Sequence, residues 1–130
     1  MGLVIDTSVL IEIENNNQEI INKINQLKNA PNTELYITIF TFCEFYYGAM
    51  NKSEKNKERA RERLGHYTLL PTTPQSGIIF CDLLHQSKKK GKPASQFDLF
   101  IAAIAIEQDF TLLTMDTYFA EIPGLKKVIF

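Results

Sequence analysis

Residues 95–114 read SQFDLFIAAIAIEQDFTLLT, an apolar helix running almost directly into a strand. Leu99, Phe100, Ile101, Ala102, Ala103, Ile104, Ala105 and Ile106 make the helix over 95–108 apolar nearly all round, which places it in the centre of a domain. Residues 111–114 then have the length and composition of a buried strand. Working outward, residues 2–5 (Gly-Leu-Val-Ile) form another short apolar strand, and 35–39 a further one rich in β-branched side chains. Val128, Ile129 and Phe130 supply the last, and Leu69-Leu70 reads as a brief extended piece before Pro71 and Pro74.

Helical spacing fills the intervals. Val9, Leu10 and Ile13 suit a short helix, broken by Asn15-Asn16-Asn17. Ile20, Ile21, Ile24 and Leu27 mark a second, closed by Pro31. Further helices are expected over 41–50, 53–64 (ending at Gly65) and 78–90, with Gly91 and Pro93 in the loop that follows. Strands alternating with helices indicate an α/β layered fold with a mostly parallel sheet, and residues 1–130 read as one domain.

The composition, 45% hydrophobic and 22% charged, is that of a globular chain able to bury a core without metal or disulfide staples. Its formal charge of -1 conceals segregation. Ten of the fourteen basic residues lie between Lys52 and Lys92 with only Glu54, Glu58, Glu62 and Asp82, a local balance of +6. The rest of the chain carries -7. An anionic partner therefore stays open.

Cys43 and Cys81 sit in apolar periodic segments with no C-x-x-C pairing, and read as buried reduced thiols compatible with a cytoplasmic location. His66 and His85 share no zinc-ligand spacing. No apolar run is long enough to span a membrane. The N-terminus lacks a basic n-region and Asp6 interrupts its apolar run, so no signal peptide is expected.

Four acids stand where a parallel sheet presents its ligand-binding edge. Asp6 follows the first strand, Glu44 falls in the first turn after the second, Asp98 opens the buried helix, and Asp116 ends the third strand. Each has a local explanation. Thr41-x-x-Glu44 and Ser95-x-x-Asp98 match the capping box, and Asp6 and Asp116 suit N-caps. Caps alone need no convergence, however. Four carboxylates at one edge repel, and an oxygen-only donor set suits Mg²⁺ or Mn²⁺. Such a site in a small α/β domain serves phosphoryl chemistry. P-loop, dinucleotide-binding and nucleophile-elbow motifs are absent, as is the second aspartate of an aspartyl-phosphate phosphatase.

Taken in order, Asp6-Thr7-Ser8, Glu44, Gly91, the run from Asp98 to Ala103, Leu112-Leu113-Thr114-Met115-Asp116, Phe119 and Ile122-Pro123-Gly124-Leu125 resemble the PIN-domain ribonucleases. Among these, the VapC-type toxins of toxin–antitoxin pairs are most similar, over nearly the whole chain. The resemblance implies a three-layer α/β/α sandwich and Mg²⁺- or Mn²⁺-dependent hydrolysis of RNA. It implies a metal site of Asp6, Asp98 and Asp116, with Glu44 acting through water or as a base, and Ser8 and Thr114 holding carboxylates by hydrogen bonds. It further implies a VapB-like antitoxin partner and a homodimer. A housekeeping RNA-processing nuclease, or a silent domain binding RNA or a protein, are the other readings on this fold. Two positions depart from the family pattern: Gln96, where an acid is common, and Tyr118, where a basic residue or His often precedes the aromatic.

Three further features carry two readings each. Lys88, Lys89, Lys90 and Lys92 read either as a strip for an RNA backbone or as a solvated helix end favoured by the dipole. The charged helix carrying Lys55, Lys57, Arg59, Arg61 and Arg63 has favourable i,i+3 pairs from Glu54 and Glu58, and reads as a solvated face. Phe40, Phe42, Phe45, Tyr46 and Tyr47 crowd one segment more densely than a single buried face needs, so core packing competes with a groove or dimer face there.

Overall fold

The alternation of short apolar strands with paired helices builds a single parallel sheet in the computed structural model, which describes residues 2–28, 33–91 and 94–130. Its strands are β1 (Leu3–Ile5), β2 (Leu35–Thr38), β3 (Thr68–Leu70), β4 (Thr111–Thr114) and β5 (Lys127–Ile129), in the order β3-β2-β1-β4-β5. Every neighbouring pair is parallel. Helices α1 (Thr7–Glu14) and α2 (Gln18–Leu27) connect β1 to β2, and α3 (Ile39–Met50) and α4 (Glu54–Leu64) connect β2 to β3. Helices α5 (Pro74–Lys89) and α6 (Gln96–Gln108) lead to β4, and a 3₁₀ turn (Thr117–Glu121) to β5.

Successive strand residues face opposite sides of a sheet, and two cores result. Val4 and Leu112 point to the α5–α6 side, against Leu83, Leu99, Ile101, Ile104 and Phe119. Leu3, Ile5, Ile37 and Leu113 point to the other, against Val9 and Leu10 of α1, Ile20 and Ile24 of α2 and Leu64 of α4. This is the expected three-layer sandwich. Helix α6 buries Leu99 and every residue from Ile101 to Ala105, as an all-apolar helix must. Helix α3 serves both cores: Phe40 packs on the first, while Phe42, Phe45 and Tyr46 pack on the second. That double duty accounts for the aromatic crowding and leaves Tyr47, 66% exposed, as its remainder.

Several expectations are corrected. Leu69-Leu70 belongs to a full edge strand, paired through Ile37↔Leu69 and Thr38↔Leu70. The second strand stops at Thr38, which caps α3 by accepting from the Thr41 N–H at 3.2 Å. Ile39 and Phe40 have strand-favouring side chains, but the cap turns the chain into a helix before them. Thr41 is therefore not an N-cap, and Glu44 lies in the second helical turn rather than the first. Helix α5 begins at Pro74, because Thr73 and Ser76 form a reciprocal capping box and Pro fits the first helical position.

Both cysteines are exposed, not buried. Helix α3 turns Phe42, Phe45 and Tyr46 inward and α5 turns Ile79, Phe80, Leu83 and Ser87 inward, which leaves Cys43 and Cys81 on the outer faces. Among the described residues no helix is long and apolar enough to cross a membrane. Pro31, Lys92 and Pro93 lie outside the described residues.

Candidate active site

From β1 the chain winds outward through β2 to β3, and from β4 it winds the other way to β5, so β1 and β4 flank the point where the winding reverses. Ligands in open α/β sheets bind beyond the strand carboxyl ends at such a point. Ile5 pairs with Leu113, so Asp6 and Thr114 emerge side by side.

Asp6 is 4% exposed and fully held. Its Oδ1 accepts from the Ser8 hydroxyl at 2.6 Å and from the Val9 N–H at 3.3 Å, and its Oδ2 accepts from the Thr114 hydroxyl at 2.6 Å. The same hydroxyls reach back to β4: Ser8 Oγ accepts from the Met115 N–H at 3.1 Å, and Thr114 Oγ1 from the Asp116 N–H at 3.0 Å. Asp116, exposed, caps the 3₁₀ turn by accepting from the Tyr118 N–H at 2.9 Å. Thus Asp6 and Asp116 are caps, as their local sequence allowed, and they are also neighbours across the switch point.

The other two acids arrive from helices. Glu44 receives a 2.5 Å hydrogen bond on Oε1 from the Thr7 hydroxyl, which ties α3 to the start of α1. Thr7 escaped the sequence reading because its partner lies 37 positions away. Its placement beside Asp6 at the first residue of a helix is the only local signal. Asp98 stands in the first turn of α6, where Ser95 caps the helix by accepting from the Asp98 N–H at 3.5 Å. Burial pushes the Asp98 carboxyl up to about 6, with smaller contributions from the charges of Glu44, Asp116 and Asp6. All four acids therefore share one electrostatic neighbourhood.

Among the described residues, no three acid, histidine or cysteine side chains stand close enough to cage one ion as placed. The donor chemistry nonetheless fits a hard divalent cation: every candidate atom is a carboxylate oxygen, and the region is over-supplied with negative charge.

The basic features lie apart. Lys88, Lys89 and Lys90 are exposed at the end of α5. On α4, Lys57 pairs with Glu54 at 3.1 Å, and Arg63 with Glu14 at 2.7 Å, where Tyr67 also donates at 2.8 Å. Burial, reinforced by Glu14, holds the Tyr67 hydroxyl well above its usual range. Two adjoining cavities of about 250 and 230 Å³ between α1, α3 and α4 share Phe45, Ala49 and Lys52, and extend from Glu44 at one end to Arg59 at the other.

The PIN domain profile matches residues 3–125. A "Ribonuclease VapC" of Rickettsia bellii (strain RML369-C) is 27% identical over 132 residues, covering 97% of this chain and 94% of that one. Two solved structures are similar in fold. VapBC2 from Rickettsia felis bound to a DNA fragment from its promoter has a TM-score of 0.86 at 22% identity, covering 100% of this chain and 99% of the other. VapBC-1 from nontypeable Haemophilus influenzae also has a TM-score of 0.86, at 23% identity, covering 99% and 98%.

Proposed function

This chain belongs to the PIN-domain family, and on that premise we propose that it is a Mg²⁺- or Mn²⁺-dependent endoribonuclease acting in the cytoplasm. Residues 1–130 work in this reading as one nuclease domain. The observation that carries it is the placement of the acids at the switch point of the sheet: Asp6 is clamped by Ser8 and Thr114 where β1 and β4 end, Asp116 follows β4, and Glu44 is tied to Thr7, the residue after Asp6. A site that confines four acids is made for a cation rather than against one.

Asp6, Asp98 and Asp116 would hold the metal, with Glu44 acting through water. A cation held by these residues would supply activation of a water and would offset charge on the phosphate oxygens and leaving group. The chain's own residues supply rigidity and proton handling. Ser8 and Thr114 clamp both oxygens of Asp6, so that carboxylate is aimed before substrate arrives. Thr7 engages one oxygen of Glu44, and among the described residues the other carries no hydrogen bond, which leaves it to take a proton from the attacking water. The cavities that extend from Glu44 to Lys52 and Arg59 bring two basic residues of the stretch of +6 to that side, where Glu14 of both linings is paired with Arg63, and this favours an RNA backbone there. In this reading Lys88, Lys89 and Lys90 supply a second backbone contact, with Lys92 two residues further along the sequence.

The similarity to ribonuclease VapC and to the VapBC structures supports a toxin held inactive by a VapB-like antitoxin. Tyr47 and Met50, three residues apart on α3 and 66% and 50% exposed, favour a homodimer or antitoxin contact.

The test is cleavage of RNA by the purified protein with Mg²⁺ or Mn²⁺, against EDTA, for wild type and Asp6→Asn. Metal-dependent cleavage lost in the variant supports the reading. Equal cleavage in EDTA sinks the metal, and no cleavage of any RNA sinks the nuclease. Induced expression arrests growth if the protein is a toxin, and the Asp6→Asn variant does not.

A further inference from the structure

Three part-exposed apolar side chains neighbour three of the acids, two in sequence and one in a shared cavity. Phe97 directly precedes Asp98 and is 40% exposed; Met115 directly precedes Asp116 and is 38% exposed. Ile11, 43% exposed, lines a cavity together with Glu44. Packing does not require this. Helix α6 already buries Leu99 and Ile101–Ala105, whereas Phe97 at its first turn stays 40% exposed.

Phe97 is nevertheless braced. Its ring meets Phe40 edge-on with centroids 5.1 Å apart. Phe40 stacks on Phe100 at 4.6 Å, and Phe100 on Phe80 at 3.9 Å. A row of four aromatic rings, drawn from α3, α5 and α6, thus runs out of the core and ends in a part-exposed ring one residue from a candidate metal ligand. An aromatic ring held this way loses little further entropy on contact and offers a flat apolar surface.

Single-stranded RNA has the matching chemistry. Its unstacked bases are taken up on aromatic side chains, while its phosphates go to charge. A nucleotide whose phosphate lies over the carboxylates carries its base one sugar away, within the reach of the adjoining residue of α6. We propose that Phe97 contacts substrate: its ring stacks on the nucleobase adjoining the scissile phosphate and so selects for unpaired RNA at the cut. This inference rests on the ribonuclease reading, which supplies the phosphate at the acids.

The experiment has two arms on the full-length protein. In the first, oligoribonucleotides carrying 2-aminopurine at successive positions are bound to the cleavage-deficient Asp6→Asn protein. Stacking quenches the fluorescence at one position, Phe97→Tyr in that background keeps the quench, and Phe97→Ala and Phe97→Leu abolish it. In the second, Phe97→Ala and Phe97→Leu lower kcat/KM on an intact oligoribonucleotide by roughly ten- to hundredfold. On a substrate lacking the base at that position, wild type and variants cleave alike. Leucine keeps the apolar bulk against Phe40, so a defect shared by both variants is not a folding defect. The proposal fails if RNA binds with no quench at any position, if the variants cleave like wild type, or if their deficit persists on the abasic substrate. A quench that survives the finding that no RNA is cleaved upholds the stacking contact and removes only the nuclease reading.

Discussion

Thr7 donates its hydroxyl hydrogen to Glu44 Oε1 at 2.5 Å, joining the first residue of α1 to the second turn of α3. That bond orients an acid that no local sequence signal positions. Replacing Thr7 with Val removes the donor while keeping the shape. The expected result is a fall in kcat of roughly ten- to hundredfold, from a charged hydrogen bond worth about 1.5–3 kcal/mol. Steady-state kinetics check this, and Thr7→Ser restores the rate.

Thr114→Val strips the donor from Oδ2 of an aspartate that is 4% exposed. A buried carboxylate left short of a partner costs about 1–3 kcal/mol. Urea denaturation in EDTA gives the loss directly, and added Mn²⁺ recovers part of it by binding only the folded state.

Asp98 makes the stability of the metal-free protein depend on pH with an unusual sign. Its folded carboxyl titrates at about 6, above its ordinary value of 3.8. The folded state therefore holds a proton that the unfolded state has released, and the contribution is present below the ordinary value and lost as pH rises through about 6. Thermal melts in EDTA should show stability from this group declining across that window, and Asp98→Asn should remove that part of the slope. Mn²⁺ should reverse the trend, because a cation binds the ionised carboxylate and the proton competes with it below about 6.

Gly2 leaves room for a ring. A Cβ built there would stand 2.5 Å from an edge atom of Phe110, which is stacked on Tyr36 at 5.2 Å. Gly2→Ala is expected to cost about 1–3 kcal/mol as the ring is displaced. The penalty should shrink in a Phe110→Ala background, which a double-mutant cycle measures.

The outward cysteines give the simplest check. Native protein should expose both Cys43 and Cys81 to a thiol-reactive dye without denaturant. Two thiols labelled at the same rate as in unfolded protein is the expected outcome. A protected thiol would mean that α3 or α5 is covered by another chain.

Where a residue's role is set by its neighbours in sequence, it was readable. The all-apolar run after Asp98, the cap signals at Ser95 and Asp6, and the alternating strands place α6, β1 and β4 correctly. Mistakes arose where one residue type suits two structures. Ile39 looks like strand and is helix, because Thr38 rather than Thr41 provides the cap. Cys43 and Cys81 lie in apolar periods, yet the helix faces that pack are set by Phe42, Phe45, Phe80 and Leu83. The bonds from Thr7 to Glu44 and from Thr114 to Asp6 span 37 and 108 positions, and no pattern shorter than the fold contains them.

The clamp on Asp6 also sets a clock on synthesis. Its Thr114 half is added to the chain 108 residues after Asp6, and it leaves the ribosome later still. A nascent chain stopped before β4 has Asp6, Glu44 and Asp98 in hand but no neighbouring strand end on which to assemble them. Under the nuclease reading, a growing polypeptide cannot cut the message that encodes it until β4 has been made and folded against β1. That interval is also the time available for an inhibitor made beforehand to be waiting.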